Sequence, residues 1–249
     1  MSGHSKWSTI KRRKGAVDAR RGKIFTKLIR EIATAARLGG GELDANARLR
    51  LAVDRARTAN MPKDNIERAI LKGTGGGEAE SFEEVVYEGY GPGGTAVYVE
   101  ALTDNKNRTA GEVRHAFARH GGNLGASGCV SYLFEKRGLL GFAAAGLDVD
   151  ALLEAALEAG ADDVVEAEGR VQVVTSPGRV EALRAALEAR GFTPGEVEVS
   201  MEASSTVSLR GSEAEAMLRL GDALEDLDDV QNVYANYDIS EEEMSRLAS

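Results

Sequence analysis

Apolar residues recur at spacings of three and four through the first third of the chain. Ile24, Phe25, Leu28, Ile29, Ile32 and Ala36 predict one buried helix face, closed at Gly39-Gly40-Gly41. A second helix is predicted from about Ala45 to Ala59, with Leu49, Ala52, Val53 and Ala56 as its stripe. A third follows Met61-Pro62, carries Ile66, Ala69 and Ile70, and ends at Gly73. These three make a small bundle over residues 1–77, followed by GTGGGEAE, a flexible linker by composition.

Beyond the linker the period changes to two. EEVVYEGY and GTAVYVEALT read as strands joined by GPGG, a hairpin. DNKNRTAGEVRHAFARHGG reads as a helix closed by paired glycines, and GCVSYLFEKRG returns to strand. From about residue 138 to 202 the order strand, helix, strand, strand, helix, strand is complete: GLLGFAAA, DVDALLEAALEAG, the two halves of DVVEAEGRVQVVTS, PGRVEALRAALEARG and EVEVSME. That is the split β-α-β unit of ferredoxin-like folds. The later segments STVSL, SEAEAMLRLGDALEDL and DVQNVYANYDI are surplus to that unit and are expected to pair back with the strands of 83–136. The expected fold class is multidomain α+β. A three-helix bundle (1–77) precedes two α+β, ferredoxin-like domains, one discontinuous (78–136 and 204–249) and one inserted in it (137–203).

Charge sharpens this division. The chain has 249 residues and a formal net charge of −9. Residues 1–77 nevertheless carry +11, and the remaining 172 carry −20. The first 37 residues alone hold 11 Lys and Arg against Asp18 and Glu31, with the only tryptophan, Trp7, among them. A basic module on an acidic body suggests one surface for a polyanion and another that avoids it. The alternative is a solvated basic face that serves solubility. No apolar run approaches the ~18–20 residues that cross a bilayer, so no membrane partner is expected. No apolar segment follows the basic start, and Cys129 has no cysteine to pair with; both fit a cytoplasmic protein.

Motifs for catalysis are weak. GYGPGG at Gly89–Gly94 matches a dinucleotide fingerprint, but it leads into a strand where that motif must open a helix. His115 and His120, five apart on a helix, face about 140° from each other, and a lone cysteine cannot build a thiolate zinc site. Cys129 itself is expected to be a buried, inert thiol in an apolar strand. No carboxylate pair stands out, so no catalytic residue, metal, cofactor or small-molecule substrate is expected.

The basic segment is different. Lys6, Lys11, Arg12, Arg13, Lys14, Arg20, Arg21 and Lys23 lie along one stretch, with Trp7 and His4 beside them. Lys and Arg displace counterions from phosphates, and an aromatic ring stacks on an unpaired base. Before Ile24 apolar residues are sparse, so the segment is expected to order on binding. Trp7 either stacks on a base or anchors the segment to the bundle. Lys63 and Asn65 in MPKDN extend the candidate surface. So do Asn105, Lys106, Asn107 and Arg108 in DNKNRT, where a polar loop opens a helix; the alternative there is a plain helix cap and turn.

GHSKW, IKRRKGAVDARRGKIFTKLIREIATAAR, NARLRLAVDRARTANMPKDNIERAI, YEGYGPGGTAVYVEALTDNKNRTAGEVRHAFARHGGNLG and LEDLDDVQNVYANYDI, in that order, closely resemble blocks of the YebC/PmpR family. The resemblance implies three domains, one helical and two α+β, with no enzyme activity and no required cofactor. Members are commonly labelled DNA-binding transcriptional regulators. Another view makes them ribosome-associated factors that relieve stalling on sequences such as proline runs, and the mitochondrial branch is the translational activator of a cytochrome oxidase subunit. The expected partner is nucleic acid, ribosomal RNA or DNA, with the ribosome as its setting. The sequence lacks a helix-turn-helix signature with a dimerisation element, and a basic arm bearing an aromatic suits irregular RNA. RNA is therefore favoured over DNA, with an acidic protein-binding scaffold as the third class. The sequence leaves the oligomeric state open.

Overall fold

The computed structural model of the chain describes residues 17–75, 82–167 and 169–247. Three helices come first: α1 (Val17–Gly39), α2 (Ala47–Thr58) and α3 (Lys63–Thr74). Their facing stripes close one small core around Ile32, Ala35, Ala36, Leu49, Ala52, Val53, Ala56, Ile66 and Ala69. Ile24, expected in that stripe, is exposed, and the stripe begins at Phe25. Asn46 staples two of the helices together. Its Oδ1 accepts from the Leu49 N–H at 3.0 Å and caps α2. Its Nδ2 donates to the carbonyls of Ala35, near the end of α1, and Gly40, just beyond it, both at 2.8 Å.

The second part of this compact unit is a four-stranded sheet backed by two helices. β1 (Glu83–Tyr90) and β2 (Ala96–Thr103) form an antiparallel hairpin, with Gly93 and Gly94 at positive φ in its turn. Then come α4 (Lys106–Arg119), the short β3 (Asn123–Leu124) and, after residue 203, a return segment. β9 (Val230–Ala235) pairs with β2, and the sheet order is β3-β1-β2-β9. α4 and α7 (Gly211–Glu225) cover one face, burying Phe117, Met217, Leu220 and Leu224 against Val97, Val99 and Val233. This core is separate from that of the bundle.

Residues 134–202 form a compact unit of their own. It contains β4 (Phe134–Ala143), α5 (Val149–Glu158), β5 (Asp163–Ala167), β6 (Arg170–Thr175), α6 (Val180–Glu188) and β7 (Glu196–Ala203), with strand order β5-β6-β4-β7. That order is the ferredoxin-like arrangement. Leu140, Phe142, Leu152, Val171, Val173, Leu183 and Leu187 fill its core. The fold class is thus α+β and multidomain, with a helical N-terminal part and one α+β unit inserted in another.

Three local expectations differ from the structure. GCVSYLFEKRG is not one strand. Residues 131–133 form a 3-10 turn, and the strand after it runs unbroken to Ala143. The cause is Glu88, a buried carboxylate on β1 that accepts the N–H groups of Gly128 (2.7 Å), Val130 (2.8 Å) and Ser131 (2.7 Å), taking them out of any ladder. Burial opposes its ionisation, but those three donors prevail and hold its pKa below the usual carboxylate range. Cys129 consequently sits in this loop, half-buried, with its pKa pushed up by burial. STVSL does not join the main sheet either: β8 (Val207–Ser208) pairs in parallel with β10 (Tyr237–Asp238). A last helix, α8 (Glu241–Leu247), docks through Met244.

Close packing of α1 on α3 depends on Gly73. A Cβ there would run into the Ala33 carbonyl oxygen and the Ala36 side chain. Gly73→Ala should therefore destabilise the protein by about 1–3 kcal/mol in urea unfolding. Gly111→Ala, in the interior of α4 with open space around it, should stabilise by about 0.5–1 kcal/mol.

Candidate nucleic-acid interface

Of the residues with a predicted role, His4, Lys6, Trp7, Lys11, Arg12, Arg13 and Lys14 lie outside the described residues. Arg20 and Arg21 fall in the first turns of α1. The next cations along that helix are at positions 23, 27 and 30, a spacing of four and three that puts them on one face.

That face meets the end of α7. The Lys23 Nζ donates to the Asp226 carbonyl at 3.1 Å and lies 3.6 Å from its carboxylate. The Lys27 Nζ donates to the Glu225 carbonyl at 2.6 Å. Arg30 Nη1 reaches the Asp228 carbonyl at 2.8 Å and Asp229 Oδ1 at 2.6 Å. A helix C-terminus offers unsatisfied carbonyls and partial negative charge, and the run Glu225, Asp226, Asp228, Asp229 adds carboxylates to it. Three cations in register satisfy both. Burial lowers the Lys27 pKa to about 8, with the Lys23 charge acting in the same direction, although Glu225, Asp226 and Asp228 oppose the change.

Asp229 is the centre of this contact. Its side chain is 3% exposed. One carboxylate oxygen takes Arg30; the other takes Arg108 Nη2 (2.6 Å) and the hydroxyls of Thr109 (2.7 Å) and Thr103 (3.0 Å). Burial raises the cost of its charge, but these donors outweigh that and bring its pKa down to about 2. Two further cations of the bundle reach the sheet part. Arg37 Nη2 donates to the Phe82 carbonyl at 2.5 Å, and Arg48 pairs with both Glu31 (2.8 Å) and Glu84. The Arg30 guanidinium also lies 5.0 Å over the Phe82 ring.

The two loops assigned to the candidate surface are engaged locally. Asn105 Oδ1 accepts from the Arg108 N–H at 3.1 Å and caps α4, Lys106 pairs with Glu83 at 2.5 Å, and Arg108 bridges Asp104 (2.7 Å) and Asp229. Asn107 is exposed. Lys63 sits 3.4 Å from Glu67 in a largely exposed pair, and Asn65 accepts from Arg68. Pairs this exposed contribute little and leave their cations within reach of other anions. Lys27, Arg30, Thr103, Thr109 and Asp229 had no assigned role. The available signal was the acidic run DLDD directly after a helix, opposite a helix whose cations repeat every three to four residues.

Among the described residues no group of three or more His, Cys, Asp or Glu could hold a metal ion, and no helix is long and apolar enough to cross a membrane. The strongest polar constellation binds the protein to itself. Because the folded pKa of Asp229 lies below its ordinary 3.8, its stabilisation is present above that value and is lost as pH falls toward 2. The contribution is about 2 kcal/mol. Asp229→Asn should cost about 2–4 kcal/mol at pH 7 in urea unfolding, because Arg30 loses its carboxylate and Arg108 keeps only the exposed Asp104. The gap between variant and wild type should shrink between about pH 5 and pH 2.

Two family models cover most of the chain. The TACO1/YebC protein N-terminal domain matches residues 5–76, and the TACO1/YebC second and third domain matches residues 82–237. A protein of Trichlorobacter lovleyi named "probable transcriptional regulatory protein" is 58% identical over 247 residues, covering 99% of this chain and 100% of its own length. A protein of Syntrophus aciditrophicus with the same name is 57% identical over 250 residues, covering 100% of each. The crystal structure of a conserved hypothetical protein from Aquifex aeolicus superposes with a TM-score of 0.82 at 51% identity, covering 92% of this chain and 94% of that one. With both models matched in order and relatives similar from end to end, the chain belongs to the TACO1/YebC family.

Proposed function

We propose that this protein is a non-enzymatic regulator of gene expression that binds nucleic acid through its N-terminal third. One observation carries the reading: residues 1–77 hold a charge of +11 on a chain whose remainder is at −20. Fields of opposite sign on one molecule draw a polyanion to one end and repel it from the other. The names of the relatives, "probable transcriptional regulatory protein", support the regulatory part of the reading.

Between nucleic acids we favour structured RNA with unpaired nucleotides, in the setting of translation on the ribosome. The basic stretch from Lys6 to Arg21 neutralises phosphates, and Trp7 and His4 contact a base or the backbone. Lys63, Asn65 and the exposed Asn107 are secondary contacts; Lys106 and Arg108 contribute to the extent that their acidic partners release them. A second reading, duplex DNA, is favoured by the relatives' names and by a feature of the bundle. α2 and α3 are joined by the four residues 59–62, with Asn60 in the left-handed region at φ 58°, the spacing of a helix-turn-helix.

Binding should weaken steeply with salt, with a log-log slope of about −3 to −7 for roughly 4–8 neutralised phosphates. Removing residues 1–16 should flatten it. Trp7→Ala should lose roughly 5- to 150-fold for RNA with unpaired bases, because stacking contributes about 1–3 kcal/mol per base. It should barely change duplex binding. Titrating labelled hairpin RNA and duplex DNA by fluorescence anisotropy separates the cases. Tighter binding to particular duplex sites would favour the DNA reading, and affinity indifferent to salt would leave a protein-binding scaffold.

A further inference from the structure

The joint between the bundle and the sheet part is built with one polarity. The two hydrophobic cores do not merge. Across the joint, Lys23, Lys27, Arg30, Arg37 and Arg48 on the bundle all reach oxygen atoms on the sheet part: the carbonyls of Asp226, Glu225, Asp228 and Phe82, and the carboxylates of Asp229 and Glu84. Each of these oxygens accepts a hydrogen bond from a cation, as a phosphate oxygen does, and those of Asp229 and Glu84 also carry negative charge; the first three cations stand on one helix face directly after the basic stretch that ends at Arg21.

We propose that the Lys23–Lys27–Arg30 face of α1 is a second, latent binding site for a nucleic-acid phosphate backbone, occupied in this structure by the acidic end of α7. The proposal rests on the nucleic-acid reading above and adds a competition to it: polyanion binding and docking of the bundle use the same three cations. Two features make the exchange feasible. Lys23 and Asp226 are exposed, with side chains at 47% and 68%, so their pairing is screened and easily displaced. Asp229, although buried, keeps Arg108, Thr103 and Thr109 when Arg30 leaves, so release strands no bare carboxylate in the interior. Docked, the acidic end neutralises the face; released, the face extends the basic segment by about two helical turns.

The test uses the full chain with Asp226→Asn and Asp228→Asn together, both exposed positions outside the buried hub. Glu241→Gln with Glu242→Gln on α8 is the matched control for net charge. Binding of a fluorescein-labelled hairpin RNA is followed by anisotropy from about 50 to 300 mM salt. The seam variant should bind about 3- to 10-fold more tightly than the control, with a slope steeper by about one to two. Adding Lys27→Gln should abolish that gain, yet change little in the wild-type background, where the site is covered. Urea unfolding confirms that each variant is folded. A gain no larger than the control's, or one that survives Lys27→Gln, overturns the latent site while leaving nucleic-acid binding intact. Salt-indifferent binding by wild type and seam variant alike overturns both.

Discussion

A carboxylate withdrawn from water must be answered by donors, and at Asp229 the answer organises the parts around it. Arg30 comes from the bundle, Thr103 from the end of β2, and Arg108 and Thr109 from the first turn of α4. Asp229 itself lies between α7 and β9, and the Leu102 N–H donates to its carbonyl at 2.8 Å. One side chain therefore fixes where a central strand ends, where a helix begins, and how α1 is docked. Four donors on two oxygens is close to what a carboxylate can accept, which is why its pKa falls despite burial. The neutral form would leave two guanidinium groups facing each other across an uncharged centre.

This arrangement changes the meaning of the positive charge on α1. Composition alone places its cations with the basic segment that precedes it. The geometry divides them. Lys23, Lys27 and Arg30 face the negative end of α7 and Arg37 bonds the Phe82 carbonyl, so the charge left to meet a polyanion is the charge that precedes them in sequence. The acidic body is then more than a repulsive counterweight, because its strongest local concentration, residues 225–229, is the surface the bundle sits on.

Much of the fold was legible because it is written in local periodicity. Leu49, Ala52, Val53 and Ala56 cannot be buried together except on a helix, and the alternation through residues 138–202 with its glycine stops admits few topologies. What escaped depends on contacts distant in sequence. Glu88 looks like any polar position of an alternating strand, yet it organises a loop some 40 residues away and turns an expected strand into a 3-10 turn. Ile24 has the right spacing for the core but sits one position too early for α2 and α3 to cover it. The DNKNRT sequence suits a phosphate site and a helix cap alike; Asn105 caps, while Arg108 answers an acid 121 residues further on. Such pairings leave no periodic trace.

The central claim is that nucleic acid is met by the basic N-terminal third and avoided by the acidic remainder. Ultraviolet crosslinking in cells, followed by mass spectrometry of the nucleotide-bearing peptides and sequencing of the attached nucleic acid, tests both halves at once. The account predicts adducts concentrated in peptides from residues 1–37, Trp7 among them, on RNA with unpaired segments. Adducts confined to residues 82–249, or no adducts above a charge-matched control protein, would contradict it.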